Sequence, residues 1–306
     1  MYDHKEIQNL REHLVRQIPK EAHAQSSHWQ MQLRAFSISK LGERSEFGFG
    51  RRIPANSLRG FFHRIGSRVL QKRSGTPIDE EILGFAKLAC RKQNRSFDVD
   101  VWRHVHTLKF LKDQLTDDIS SVVVIGDGQA NFSNIFFPTF KSARVVFNVN
   151  LPEVLINDLE LLSMSLDPLD THIISLDTFV NYDFSNSKKL MVLCTPTEFL
   201  SCTRLEADLF VNIASFQEMS KDWIMSYFTK MRLIKGKKYL YQCNRERKVL
   251  PSGEQFILSQ LPFNLRDRVI YSQTVPPWHK EFYSWKPPFL RAYEGIHFHS
   301  LTKLSN

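Results

Sequence analysis

No apolar run in the chain approaches the roughly 20 residues that a membrane span requires, so no span is expected. The opening stretch, MYDHKEIQNLREHLVRQIPK, sets charges among its apolar positions and has no apolar core of the kind a secretory signal needs. A cytoplasmic location is the expectation. Cysteine is scarce: Cys90, Cys194, Cys202 and Cys243 lie far apart, form no CxxC pair and match no zinc spacing. Buried thiols in a reducing compartment are the simplest reading. Internal repeats and low-complexity segments are missing too. Acid is in deficit: 32 Asp and Glu face 41 Lys and Arg, a net charge of +9. That balance suits an anionic partner, whether nucleic acid, a nucleotide-sugar, a phosphorylated glycan or an acidic membrane surface. What is present, 42% hydrophobic and 24% charged residues over 306, describes a globular protein long enough for one large domain or a domain with a substantial attachment. A homo-oligomer is left open.

The basic excess is concentrated in RRIPANSLRGFFHRIGSRVLQKR (51–73), with seven Lys or Arg and no acid. Ser57 can cap a helix whose apolar residues Leu58, Phe61, Phe62, Ile65 and Val69 recur at helical spacing. Arg64, Arg68 and Lys72 fall four apart and stack like charges on one face, which an anion would relieve. A solvated basic face is the plainer alternative. Residues 1–115 read as a helical N-terminal region: LREHLVRQI, EEILGFAKLACRKQ and VDVWRHVHTLKFLKDQL all have helical periodicity, with the glycine-rich break GERSEFGFGRRIPAN between them.

From about 116 to 306 the texture changes. Short β-branched runs (SVVVIG, ARVVFNV, THIISL, LMVLC, DLFVNIA, KKYLYQC) alternate with helical stretches. This predicts an α/β fold: a Rossmann-like, mostly parallel sheet flanked by helices, with ligands at the C-terminal ends of its strands. THIISL and LMVLC compete to be the third strand. The Pro- and aromatic-rich tail from about 250 either covers that edge or supplies the last antiparallel strands.

Glycine is sparse, 12 residues in all, yet Gly126 and Gly128 stand two apart after the first strand. Glycine there permits positive φ and close approach of a ligand to the backbone. A dinucleotide fingerprint needs a third glycine at 131, where this chain has Asn, and the GxGxG variant needs one at 130, where it has Ala. At the end of the second strand Asn148 and Asn150 stand where an acid usually meets a ribose. Asn150 with Glu153 also reads as a capping box. Asn212, Ser215, Gln217 and Glu218 fall at or past the end of the DLFVNIA strand. Glu218 is a candidate base, and Ser215-Phe216-Gln217-Glu218 again fits a capping box. His279, in PPWHKEF, is the rival base. His297 and His299 share a face if their stretch is a strand, but no third metal ligand accompanies them. Arg245, after Asn244, can hold a phosphate or carboxylate on an acceptor.

VVVIGDGQANFSNIFFPTFKSARVVFNVNLPEVLINDLELL and ADLFVNIASFQEMSKDWIMSYFTKMRLIKGKKYLYQCNRE together resemble a family of sugar O-methyltransferases, a branch of the class I S-adenosylmethionine-dependent methyltransferases. The resemblance covers most of residues 120–250. It implies S-adenosyl-L-methionine as donor and a sugar hydroxyl as acceptor, within glycan or nucleotide-sugar assembly. On it, Gly126, Asp127 and Gly128 shape the donor pocket, Asn148 or Asn150 touches the ribose, and Thr195 joins the cofactor contacts. Asn212, Ser215, Gln217, Asn244 and Arg245 face the acceptor, with Glu218 or His279 as base. The helical N-terminal region corresponds to the family's variable cap. Two positions depart from the pattern: Val124 and Asn150 stand where the family commonly has acids. They motivate an alternative, a non-catalytic carbohydrate-binding or scaffold protein that keeps the fold. Nucleic acid ranks last among the partners, since no RNA-reading motif is present.

Overall fold

The computed structural model describes residues 2–33, 54, 57–116, 118–185, 188–283 and 287–306. Apart from Pro54, the glycine-rich break at 42–56 lies outside the described residues. Among the described residues five α-helices come first: α1 (His4–Gln17), α2 (Ser27–Leu33), α3 (Leu58–Ser74), α4 (Glu80–Lys92) and α5 (Val99–Gln114). Their starts follow from the sequence. Asp3, Ser57, Asp79 and Asp98 are N-caps whose side chains accept amide protons from the first turns of α1, α3, α4 and α5.

Strands and helices then alternate: β1 (Ser121–Ile125), α6 (Asn131–Thr139), β2 (Val145–Val149), α7 (Pro152–Ser165), β3 (Thr171–Ser175), α8 (Leu176–Val180), β4 (Lys189–Cys194), α9 (Pro196–Ser201), β5 (Leu209–Ile213), α10 (Lys221–Leu233) and β6 (Tyr239–Arg245). Six more strands close the chain: β7 (Arg247–Val249), β8 (Gln255–Ile257), β9 (Arg268–Thr274), β10 (Glu281–Tyr283), β11 (Leu290–Ala292) and β12 (His297–Lys303). The main sheet has eight strands in the order β3-β4-β2-β1-β5-β6-β12-β9, and β7-β8 and β10-β11 are separate pairs. Within it only β12 runs antiparallel to its neighbours. The Rossmann-like, mostly parallel sheet expected from the β/α alternation is therefore the architecture. LMVLC, as β4, pairs with β2, and THIISL becomes the edge strand β3. The tail supplies the antiparallel strand.

The strands of a doubly covered sheet must bury both faces. One face of Val122, Val124, Val146 and Val211 packs on α4, α5, α6 and α7, and on Leu10 and Leu14 of α1. The other face, Val123, Ile125, Phe147 and Phe210, packs on α8, α9 and α10 through Phe179, Phe199, Tyr227 and Phe228. Helix α3 lies outside both layers. It buries Gly60, Ser67 and Leu70, and a Cβ on Gly66 would overlap the Tyr283 ring. Its apolar stripe, which such spacing ordinarily directs to a core, is exposed.

Candidate active site

Strands β1, β2, β4, β5 and β6 are mutually parallel and so end on one rim. From β1 the chain winds through β2 to one side and, after β4, returns to β5 on the other. The strand order therefore reverses between β1 and β5, where open α/β sheets bind ligands. A cleft sits there, lined by Gly126, Asn150, Ser215 and Glu218 with an apolar wall that includes Met219, Trp223 and Tyr227. The turn after Ile125 and the Ser215 segment thus share one rim, in contact with each other. The empty space, open mouth included, is about 400 Å³, but its wide part holds only a water or two.

The glycine loop is built differently from its sequence expectation. Gly126 has φ +78°, and a Cβ there would overlap Ser215 Oγ. The close approach that glycine permits is taken by Ser215. Positive φ recurs at Gln129 (+65°) and Ala130 (+49°), where a non-glycine residue is strained by on the order of 1 kcal/mol. Arg95 holds that strained turn, donating to Gln129 Oε1 at 3.1 Å and to Asn131 Oδ1. Asp127 is buried and accepts from the amides of Phe132 (3.1 Å) and Ser133 (2.6 Å). Its carboxylate occupies the anion position at the start of α6, where a dinucleotide fold would seat a pyrophosphate.

The other predicted residues separate into two groups. Asn150, Ser215 and Glu218 line the cleft. Asn148 does not: it is turned into the α7 layer, where Nδ2 donates to Asp158 at 3.0 Å. Thr195 is buried as the N-cap of α9, in a capping box with Glu198. Neither capping box anticipated at Asn150 or Ser215 forms. Asn150 Oδ1 accepts the Leu151 amide instead, and Ser215 makes no side-chain cap. The reason is steric at Ser215, whose side chain fills the space beside Gly126. Asn212, Asn244 and Gln217 hold one another. Asn212 Nδ2 donates to the Ile125 carbonyl (3.1 Å) and its Oδ1 accepts from Asn244 (3.0 Å) and the Phe216 amide (2.9 Å). Gln217 Oε1 accepts the Arg245 amide at 2.7 Å. This network fixes the turn after β5 against β1 and β6. The Arg245 guanidinium faces Glu294 at 3.6 Å.

Glu218 Oε1 meets Lys248 Nζ at 2.8 Å and His28 Nε2 at 3.3 Å. Burial lowers the His28 pKa below its ordinary value, against the opposing charge of Glu218. His28 carries no motif in the sequence, and only the folded N-terminal segment brings it here. That segment lies across the rim. Glu21 accepts from Thr197 (3.2 and 3.0 Å), Gln25 donates to Glu153 (3.0 Å), Trp223 Nε1 donates to the His23 carbonyl (3.3 Å), and Ser26 bonds the Glu218 carbonyl. Ala24, Ser26 and Trp29 form the outer wall of the cleft.

His279 sits away from the cleft, buried, with Nδ1 at 3.5 Å from Cys243 Sγ and its ring stacked on His297 at 4.2 Å. Burial, then the Arg103 charge, holds it well below the usual imidazole range. His297 and His299 do share a face of β12; His299 Nδ1 lies 3.2 Å from the Tyr241 hydroxyl. Among the described residues, the metal-capable side chains that come close together are His13, Asp177 and Glu198, which include none of these.

Fold and rim define a Rossmann-like α/β protein with a cleft at its topological switch point. No family model matches the chain, and no curated protein matches it. Among solved structures it is similar to the N-methyltransferase NodS from Bradyrhizobium japonicum WM9, in complex with S-adenosyl-L-homocysteine (8% identity over 79% of this chain and 99% of that one, TM-score 0.40). It is also similar to the methyltransferase domain of a bacterial Hen1 (9%, 68% and 100%, 0.42) and to an rRNA methylase from Streptococcus thermophilus (11%, 66% and 96%, 0.38). The fold assignment rests on strand order and register.

Proposed function

We propose that the chain is an S-adenosylmethionine-dependent methyltransferase that acts on a sugar hydroxyl. The observation that carries this reading is the convergence of Gly126, Asn150, Ser215 and Glu218 with an aromatic wall at the β1/β5 switch point. The lining fits the donor chemically. Leu151, Pro196 and Met219 offer apolar contact to a purine, and Asn150 offers both a donor and an acceptor to a ribose. The width does not fit while Ala24, Ser26 and Trp29 stand over the cleft, so the 21–29 segment must shift for entry. When bound, the donor supplies an electrophilic methyl group. This chain's part is to hold the acceptor oxygen in line and take its proton. Glu218 is the group placed for that, since it stays on the rim when the 21–29 segment shifts. His28, carried by that segment, meets the carboxylate at 3.3 Å while the cleft is covered. The sugar specificity rests on the sequence resemblance.

A transfer assay with labelled donor and a panel of nucleotide-sugars and oligosaccharides tests this. Transfer by the wild type, with a loss of at least about 100-fold in kcat for Glu218→Gln, is the expected result. Absence of transfer to every sugar in the panel contradicts it. The narrow cleft, Val124 and Asn150 favour one alternative, a non-catalytic carbohydrate-binding relative. On that alternative, glycan binding persists in Gly128→Asp.

A further inference from the structure

Helix α3 exposes the residues its sequence spacing would assign to a core. Leu58 is 74% exposed, Phe61 49%, Phe62 45%, Ile65 42% and Val69 39%. At about 100° per residue these five fall within an arc of roughly 100°. The opposite side of the helix is the one that packs: Gly60, Ser67 and Leu70 are buried there, with Leu70 against Trp102 and Trp278. Arg64, Arg68 and Lys72 run along one edge of the apolar stripe and are exposed. Arg73, on the other edge, meets Glu281 at 2.9 Å. The helix holds no acidic residue.

We infer that α3 is a membrane-surface element that lies in the headgroup region of an anionic bilayer. An apolar stripe of two aromatic and three aliphatic side chains bordered by cations is the pattern of an interfacial helix. The stripe calls for acyl chains and the border for lipid phosphates or carboxylates. A second copy of the chain suits the face poorly, because Arg64, Arg68 and Lys72 would meet their own counterparts. Nucleic acid would pair with the border and leave the stripe in water. The stripe is already exposed in the folded chain, so docking requires no unfolding. This inference does not depend on the reading of the cleft.

The test is flotation of the full chain with vesicles of phosphatidylcholine alone and with 30% phosphatidylglycerol by design, at low and high salt. Two double variants, Phe61→Ser with Phe62→Ser and Arg68→Glu with Lys72→Glu, change only exposed side chains, and unchanged thermal melts check their folding. Binding to the anionic vesicles that falls roughly tenfold or more in each double variant, and weakens with salt, is expected. No binding to anionic vesicles overturns the proposal, as does binding that the Phe variant leaves intact. A wild type that binds a mixed RNA and ignores vesicles also overturns it. So does a wild type that self-associates through the stripe and ignores vesicles.

Discussion

Gly126 shows how a residue legible in sequence can serve a purpose other than the one its motif suggests. Positive φ and the Ser215 side chain both demand glycine there. Gly126→Ala should cost about 3 kcal/mol, roughly 1 from the backbone and the rest from overlap. Adding Ser215→Gly should recover the overlap part, a coupling that urea titrations of the double-mutant cycle would read. Additive losses would mean Ser215 is not the neighbour that matters. Histidine gives a second prediction. His106, His297 and His299 are each held down to about 4, chiefly by burial, against about 6.5 unfolded. The unfolded chain therefore takes up protons that the native state refuses. Stability is full above about pH 6.5 and falls as pH drops toward 4, by up to about 1.4 kcal/mol per pH unit for each ring. Among the described residues neither His106 nitrogen has a hydrogen-bond partner, and its ring stacks on Trp278. His106→Phe should raise the urea midpoint at pH 7 and remove about one proton from that slope. An unchanged slope would place the uptake elsewhere. Sequence spacing alone could not reveal these rings as buried, because what covers them comes from α5 and from the chain's last third.

At the scale of elements, helical periodicity identified α4 and α5, and short β-branched runs identified β1 to β6, whose central strands are buried on both faces. Periodicity misled at α3, since the same spacing marks a stripe packed on a core and a stripe turned to solvent. The caps were legible as patterns but not as places. Of the stretches at Asn150, Thr195 and Ser215 that have the form of a capping box, only Thr195 to Glu198 closes one, because Ser215 is drawn toward Gly126 and Asn150 toward its own following amide. Asp127 caps α6 across the glycine turn, an arrangement with no fixed spacing. Asp127→Ala should cost about 2 kcal/mol and Asp127→Asn less, since one acceptor survives. Chemical denaturation would rank the two, and equal losses would contradict this, placing the whole effect in the charge and in the second oxygen that Asn lacks.

For the whole molecule, the sheet order unites what the sequence scatters. Turns some 25 and 90 residues from Gly126 reach its rim, and His28, about 100 residues before it, arrives from the other direction. The β/α alternation foretold the rim. The partner of Glu218 was not foretold, since nothing in SSHWQ signals where the N-terminal segment will lie. The same segment covers the cleft, so access to it is a property of the assembled chain. Isothermal titration of the full chain with S-adenosyl-L-homocysteine tests the central claim most directly, alongside Met219→Trp, which narrows the cleft from its apolar wall. The account predicts saturable heat for the wild type and its loss in the variant at an unchanged melting temperature. No heat at millimolar ligand, or equal binding by both proteins, would contradict it.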